Sequence, residues 1–305
     1  MSFHTLARAM RSGLTGDVLQ REPMARHTSY RIGGPAEIFV TCDTVADLAE
    51  TIKLCDAEGV ERVTVGKGSN LLVADAGYQG VVITLGKEFK AHRVDGTDIE
   101  TGAACILAYV VRDAYSRGLG GMEFAVGIPG TVGGAISMNA GTGDAWIGSV
   151  ASSVTVYVPG EGLTRLRAEE IDWAYRNAGL PAGAVVVETV LRLSAADKDE
   201  IRAAMDASLE RRKRTQPLGV PSAGSVFRNP PGESAGRLIE SAGLKGTRLG
   251  GARISEIHAN FIVNEGNARA EDVLGLVRKV QMTVRDTHGI ELTPEIKLLG
   301  TFEDA

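Results

Sequence analysis

A chain of 305 residues is long enough for two domains, or three, at the usual domain size. Its 44% apolar and 23% charged residues exclude disorder and coiled coil, and no apolar run approaches the roughly 20 residues that a membrane helix needs. The net charge of −5 argues against a nucleic-acid surface and confines any anion site to local donors.

In chain order, residues 1–20 read as a short amphipathic lead-in without the apolar centre of a secretory signal, so a cytoplasmic chain is expected. A strand is predicted at 38–40. Thr44 and Asp47 resemble a capping box, opening a helix through Leu48, Ile52 and Cys55 that Gly59 ends. Strands follow at 62–65 and 81–85, then a helix over 104–117 stopped by Gly118. Segments 154–158, 164–168 and 184–194 read as strands, the last around Val185-Val186-Val187. A charged helix over 196–214 ends in Arg211-Arg212-Lys213-Arg214, which suits a negative helix terminus. Gln216-Pro217 breaks it and marks a domain boundary. Beyond it come a short helix near 237–242, a strand at 261–263, a helix over 270–287 and a closing strand at 291–299. The long helix carries an apolar stripe at Val273, Leu274, Val277, Val280 and Val284. The order is not a clean βαβα alternation, so a mixed α+β protein is expected and a doubly wound dinucleotide fold is not.

Cys42, Cys55 and Cys105 are odd in number and share no short spacing, so they read as small core residues of a reducing compartment. Glycine is the outlier, 38 residues with nine of them between Gly118 and Gly143. Core strands disfavour so much glycine, and a disordered linker would not carry Phe124, Val126, Ile128, Val132, Ile136 and Met138. A buried loop whose backbone approaches an anionic ligand fits both facts. Gly66-Lys67-Gly68-Ser69-Asn70-Leu71 follows a strand and reads either as an anion nest or as a tight turn. Leu71 stands where a third glycine would complete a Rossmann fingerprint.

Three further positions stand out. Ser225, in PSAGSVFRNP, is a turn-capping residue or a proton donor to a basic carbon, where a carboxylic acid would already be ionised. Arg176, beside Tyr175, is a surface arginine or a held cation. Glu295 is an acid in the apolar segment LTPEIKLLG, either solvated or an electrostatic partner.

Taken together these residues resemble the UDP-N-acetylenolpyruvoylglucosamine reductases, the MurB family. The likeness runs from about Thr28 to Gly300 through HTSYRIGGPAE, VGKGSNLLVAD, GMEFAVGIPGTVGGAISMNAG, PSAGSVFRNP, AGRLIESAGLKG, ISEIHANFIVN and LTPEIKLLG. It implies a two-subdomain FAD-binding module of the vanillyl-alcohol-oxidase (PCMH) type followed by a C-terminal α+β substrate domain. The limits are a lead-in at 1–20, the module at 21–215 (about 21–86 and 87–215) and the substrate domain at 216–305. It implies that NADPH reduces the flavin and departs, and that hydride then passes to the enolpyruvyl ether of UDP-N-acetylglucosamine. No metal, nucleic acid, membrane insertion or obligate protein partner is implied.

By position, the resemblance assigns FAD to Gly66, Lys67, Gly68, Ser69, Asn70 and Leu71, and to Gly127, Ile128, Pro129, Gly130, Thr131, Gly133, Gly134, Ala135, Asn139 and Gly141. Ser225 becomes the proton donor, with Arg176 and Glu295 flanking the substrate carboxylate. An ionised Glu295 would repel the intermediate, so it is expected to be protonated or paired with Arg176. Tyr175 and Asn229 become substrate-binding residues. Ala178 departs from the family, which usually has serine two residues after the arginine. The direct run from Arg176 into the 184–194 strand resembles the shorter type, without a tyrosine-bearing loop. A flavin oxidoreductase acting on an alcohol or sugar, or a non-catalytic flavin or nucleotide-sugar binder, would lack the GSVFRNP and LTPEIK segments or the Ser225, Arg176 and Glu295 trio.

Overall fold

The computed structural model describes residues 1–142 and 145–302, so Gly143, the last glycine of the run, lies outside the described residues. Seven α-helices are found among them: α1 Phe3–Gly13, α2 Val45–Glu58, α3 Leu107–Ser116, α4 Val132–Ser137, α5 Lys198–Thr215, α6 Ala235–Ser241 and α7 Ala270–His288. A four-stranded sheet takes Val18–Pro23, Pro35–Cys42, Tyr78–Leu85 and Arg62–Thr64 in that order, the last two parallel. The chain forms two compact units, the first from 1–20, 38–66 and 80–210, the second from 21–37, 67–79 and Arg211 onward.

The first unit is built on an antiparallel five-stranded sheet in the order Gly162–Arg167, Ala151–Val158, Val185–Arg192, Asp98–Gly102, His92–Asp95. The central Val185–Arg192 strand explains its own sequence. Val185 and Val187 join one hydrophobic core, with α1 and α2, while Val186 and Leu191 join another, with α3 and α4. A strand buried on both faces reads as a continuous apolar run, because successive side chains alternate between the faces. The lead-in is itself structured: α1 buries Leu6, Ala7 and Met10. The α2 start is a capping box, Thr44 Oγ1 accepting the Asp47 N–H at 3.0 Å and Asp47 Oδ2 accepting the Thr44 N–H at 3.3 Å. Gly59 ends it at φ +62°. The α3 helix starts three residues later than predicted. The carbonyls of Ala103 and Cys105 are taken by the N–H groups of Gly133 and Val132, both at 2.9 Å, so they do not accept helical bonds and the helix begins beyond them.

In the second unit, Arg248–Leu249, Ala252–Ile254 and Ile262–Asn264 form an antiparallel sheet against α6 and α7. The predicted stripe of α7 is buried throughout. Asp75 holds the α7 start, its carboxylate accepting the N–H groups of Ala270 at 2.9 Å and Glu271 at 3.3 Å. The closing strand is shorter than predicted, Lys297–Leu299, and pairs parallel with Leu71–Val73. Before it, Thr293 C=O and Glu295 N–H bond instead to Arg228 and Val226. The segment changes partner around Pro294, which has no N–H to continue a ladder.

The cysteines are buried and free. Burial pushes the Cys42 thiol up to about 12 and the Cys55 thiol up to about 11.

Candidate active site

In the first unit the glycine run is more than a loop, because it contains α4. Thr131 caps that helix, its Oγ1 accepting the Gly134 N–H at 3.3 Å. Gly133 is needed where it stands. Its N–H reaches Ala103 C=O at 2.9 Å, and an added Cβ would lie 2.8 Å from the Ala103 Cβ. Gly127 and Gly130 flank Ile128 and Pro129 at φ +74° and +124°. Gly66 abuts the same place, since a Cβ on it would lie 2.5 Å from Thr131 Oγ1. Gly66, Gly127, Pro129 and Gly134 are exposed. From 127 to 142 there is no charged side chain, and the 66–71 segment has one lysine and no acid. Each of these two stretches is therefore glycine-rich and has no carboxylate of its own to repel an anion.

Asn139 lies deeper, at φ +41° and 5% exposed. Its Nδ2 donates to Ala174 C=O at 3.0 Å and its Oδ1 accepts the Gly148 N–H at 3.1 Å. This ties the end of the glycine run to the turn bearing Tyr175 and Arg176. The turn is closed by Ala174 and Asn177, which exchange both backbone bonds. At its tip Arg176 has φ +60°, its Nη1 reaches Gly141 C=O at 3.4 Å, and its guanidinium lies 5.1 Å from the ring centre of exposed Tyr175. Ala178 is buried in the core of this unit.

In the second unit Gly68, at φ +58°, lies against His27, whose carbonyl oxygen a Cβ would meet at 2.2 Å. The Ser29 N–H donates to Gly68 C=O at 3.1 Å. Asn70 Nδ2 donates to Glu295 C=O at 3.1 Å, and Lys297 N–H returns a bond to Asn70 C=O at 3.0 Å. Glu295 N–H donates to Val226 C=O at 2.7 Å. Asn70, Ser225 and Glu295, far apart in sequence, thus share one patch of backbone. Ser225 and Glu295 are both half-buried. Asn229 is exposed, and its Oδ1 accepts the Ala235 N–H at 3.0 Å, next to the start of α6.

Residues 36–157 match the FAD binding domain family and residues 216–299 match the UDP-N-acetylenolpyruvoylglucosamine reductase C-terminal domain. The UDP-N-acetylenolpyruvoylglucosamine reductase of Heliobacterium modesticaldum is 46% identical over 93% of this chain and 91% of its own length. The chain belongs to the UDP-N-acetylenolpyruvoylglucosamine reductase family. The corresponding enzyme of Bacillus subtilis is 41% identical, covering 93% of this chain and 95% of its own. The crystal structure of the family member from Thermus caldophilus has a TM-score of 0.82 at 38% identity, covering 93% and 99% of the two chains. The Physcomitrella patens BBE-like 1 structure (TM-score 0.56, 13% identity, covering 94% and 89%) shares the fold alone.

The fold is thus α+β, of the FAD-binding type with the family's own C-terminal domain. A pyrophosphate-bearing cofactor fits the first unit's stretch, where Gly66, Gly127 and Gly134 leave backbone exposed and residues 127–142 include no acid. No helix among the described residues is long and apolar enough to cross a membrane. Sequence reasoning passed over Gly148, whose absent Cβ leaves room for Trp173 and for Asn139 Oδ1. It also passed over Asn260, which bonds to the backbone beside Ser225. Neither sits in a pattern that composition or spacing would single out.

Proposed function

We propose that this chain reduces the enolpyruvyl ether of UDP-N-acetylglucosamine to UDP-N-acetylmuramate, a step of peptidoglycan precursor synthesis, with FAD as bound cofactor and NADPH as reductant. The observation that carries the reading is the 2.7 Å bond from Glu295 N–H to Val226 C=O, which sets Ser225 and Glu295 on neighbouring backbones. FAD, when bound, supplies the hydride taken from NADPH. The 66–71 and 127–141 segments would hold it with backbone donors, and neither carries an acid that would repel its phosphates.

Ser225 Oγ–H gives its proton to the substrate carbon that carries the charge after hydride addition. A hydroxyl keeps its proton at neutral pH until that charge develops. Arg176, always cationic, offsets the enolate charge, and a preorganised cation is commonly the largest catalytic term. Glu295 flanks the substrate carboxylate, protonated or paired with a cation so that it does not oppose the same charge. Tyr175 and Asn229 hold the substrate, Asn229 through Nδ2 because its Oδ1 bonds to Ala235. We take 21–215 as the FAD-binding module, 216–305 as the substrate domain and the cytoplasm as the place of reaction, with no obligate protein partner.

Purified protein tests this directly. It is expected to be yellow, to bleach anaerobically with NADPH, and to regain colour only when the enolpyruvyl substrate is added. Colourless protein with no flavin in its denatured supernatant overturns the reading.

A further inference from the structure

The 254–264 segment has no task in the reading above, yet it carries the frame on which Ser225 is mounted. At one end the Asn264 N–H donates to Pro221 C=O at 2.9 Å, and Val263 bridges to Ser222. Three residues back from Val263, Asn260 meets the other end of the same arch. Its C=O accepts the Val226 N–H at 2.9 Å, its Oδ1 accepts the Phe227 N–H at 2.9 Å, and its Nδ2 donates to Phe227 C=O at 2.8 Å. The side-chain amide closes the pair of bonds that a strand neighbour's backbone would otherwise supply. Asn260 is 3% exposed, and its own N–H is taken by His258 Nδ1 at 3.2 Å.

Residues 223–225 therefore form an arch with both feet pinned to one segment. On the N-terminal side of the serine, Gly224 sits at φ +75° with no atom within 4 Å of where its Cβ would be. That side gives the arch freedom. The C-terminal foot, at Val226 and Phe227, is what sets the Oγ, and Val226 C=O also receives the Glu295 N–H. Proton transfer needs the donor within hydrogen-bond reach of the reacting carbon, and a misplacement of about 1 Å costs on the order of 10²-fold in rate.

We propose that Asn260 is a positioning residue for the reaction, its side-chain amide fixing Ser225 through the backbone of Phe227. The inference rests on Ser225 being the proton donor. Replacing the amide by a methyl leaves the Asn260 C=O bond to Val226 in place and removes the two bonds to Phe227.

The test uses FAD-loaded Asn260→Ala in anaerobic stopped flow, with flavin reduction by NADPH and reoxidation by the enolpyruvyl substrate timed separately. The ratio of reoxidation to reduction rates is expected to fall by roughly 30–100-fold. Ser225→Ala/Asn260→Ala is expected to be no slower in reoxidation than Ser225→Ala, because a serine that is absent cannot be mispositioned. Equal slowing of both half-reactions, or a double variant slower than Ser225→Ala by the full Asn260→Ala factor, overturns the proposal. Should Asn260→Ala not be recovered folded, Asn260→Asp decides. It keeps the shape and the Oδ1 acceptor but loses the Nδ2 donor, so the same fall in ratio is expected and an unchanged ratio overturns. A wild-type protein that binds no flavin or ignores the substrate rejects the functional reading itself. A competent wild type with an unmoved ratio in these variants rejects only the role of Asn260.

Discussion

Arg176 holds φ at +60°, a conformation that costs a non-glycine residue about 1–2 kcal/mol. The strain persists because Ala174 and Asn177 close the turn and Asn139 grips Ala174 from below. Stability and chemistry should therefore separate at this residue. Arg176→Gly is expected to be more stable than Arg176→Ala by about 1 kcal/mol, because alanine keeps the strain and glycine does not. Both should be equally poor in reoxidation by substrate, since both lack the guanidinium. Urea midpoints with stopped-flow traces on the two proteins check this, and an alanine variant as stable as the glycine one would deny the strain. At Ser225 the expectation is chemical alone. Ser225→Ala should still bleach with NADPH but reoxidise some ~10²–10⁴-fold more slowly, the usual worth of a general acid. Reoxidation near the wild-type rate would reduce Ser225 to a turn residue.

The α2 start concentrates more bonding on one side chain than its capping box alone requires. Burial pushes the Asp47 carboxyl up, but the N–H and hydroxyl of Thr15 and the N–H groups of Asp43 and Thr44 outweigh it and hold it below the ordinary range. Such a group stabilises the fold above the unfolded carboxylate pKa of about 4, and the contribution is lost as pH falls through the lower folded value. Asp47→Asn should cost about 2 kcal/mol at pH 7 and less at pH 3, by urea titration at each pH. An equal cost at both would rule the ionised form out as the source. The same element shows what the sequence reveals: Thr44, Asp47 and Gly59 are local signals, and the helix lies where they put it. The α7 stripe was equally readable, because periodicity records burial. The α4 helix was not, since Gly133 and Gly134 look like helix breakers. Only the Ala103 Cβ, some 30 residues away in sequence, explains why Gly133 has to be glycine. The site divides in the same way. Ser225, Arg176 and Glu295 stood out by type and motif, whereas Asn260 acts on Ser225 from 35 residues away through bonds that only folding creates.

For the whole molecule, FAD is a folding ligand as well as a cofactor. At 100 times its Kd it should add about 2.7 kcal/mol of stability, raising the thermal midpoint of deflavinated protein by roughly 5 °C. Gly66→Ala should lose most of that increment, because its Cβ would press on Thr131 Oγ1 and shift the glycine run. Scanning calorimetry with and without FAD measures both, and a full increment in Gly66→Ala would take Gly66 out of the cofactor site. The three buried cysteines have a different, practical consequence. With thiols raised to about 11 and 12 for Cys55 and Cys42, at most about one in 10⁴ of these two is thiolate at pH 7, and Cys105 is buried at 6% exposed. A single cysteine placed at an exposed position such as Met282 would then outcompete all of them for a maleimide dye. The native chain is thus ready for site-specific fluorescent labelling without first removing any residue of its own.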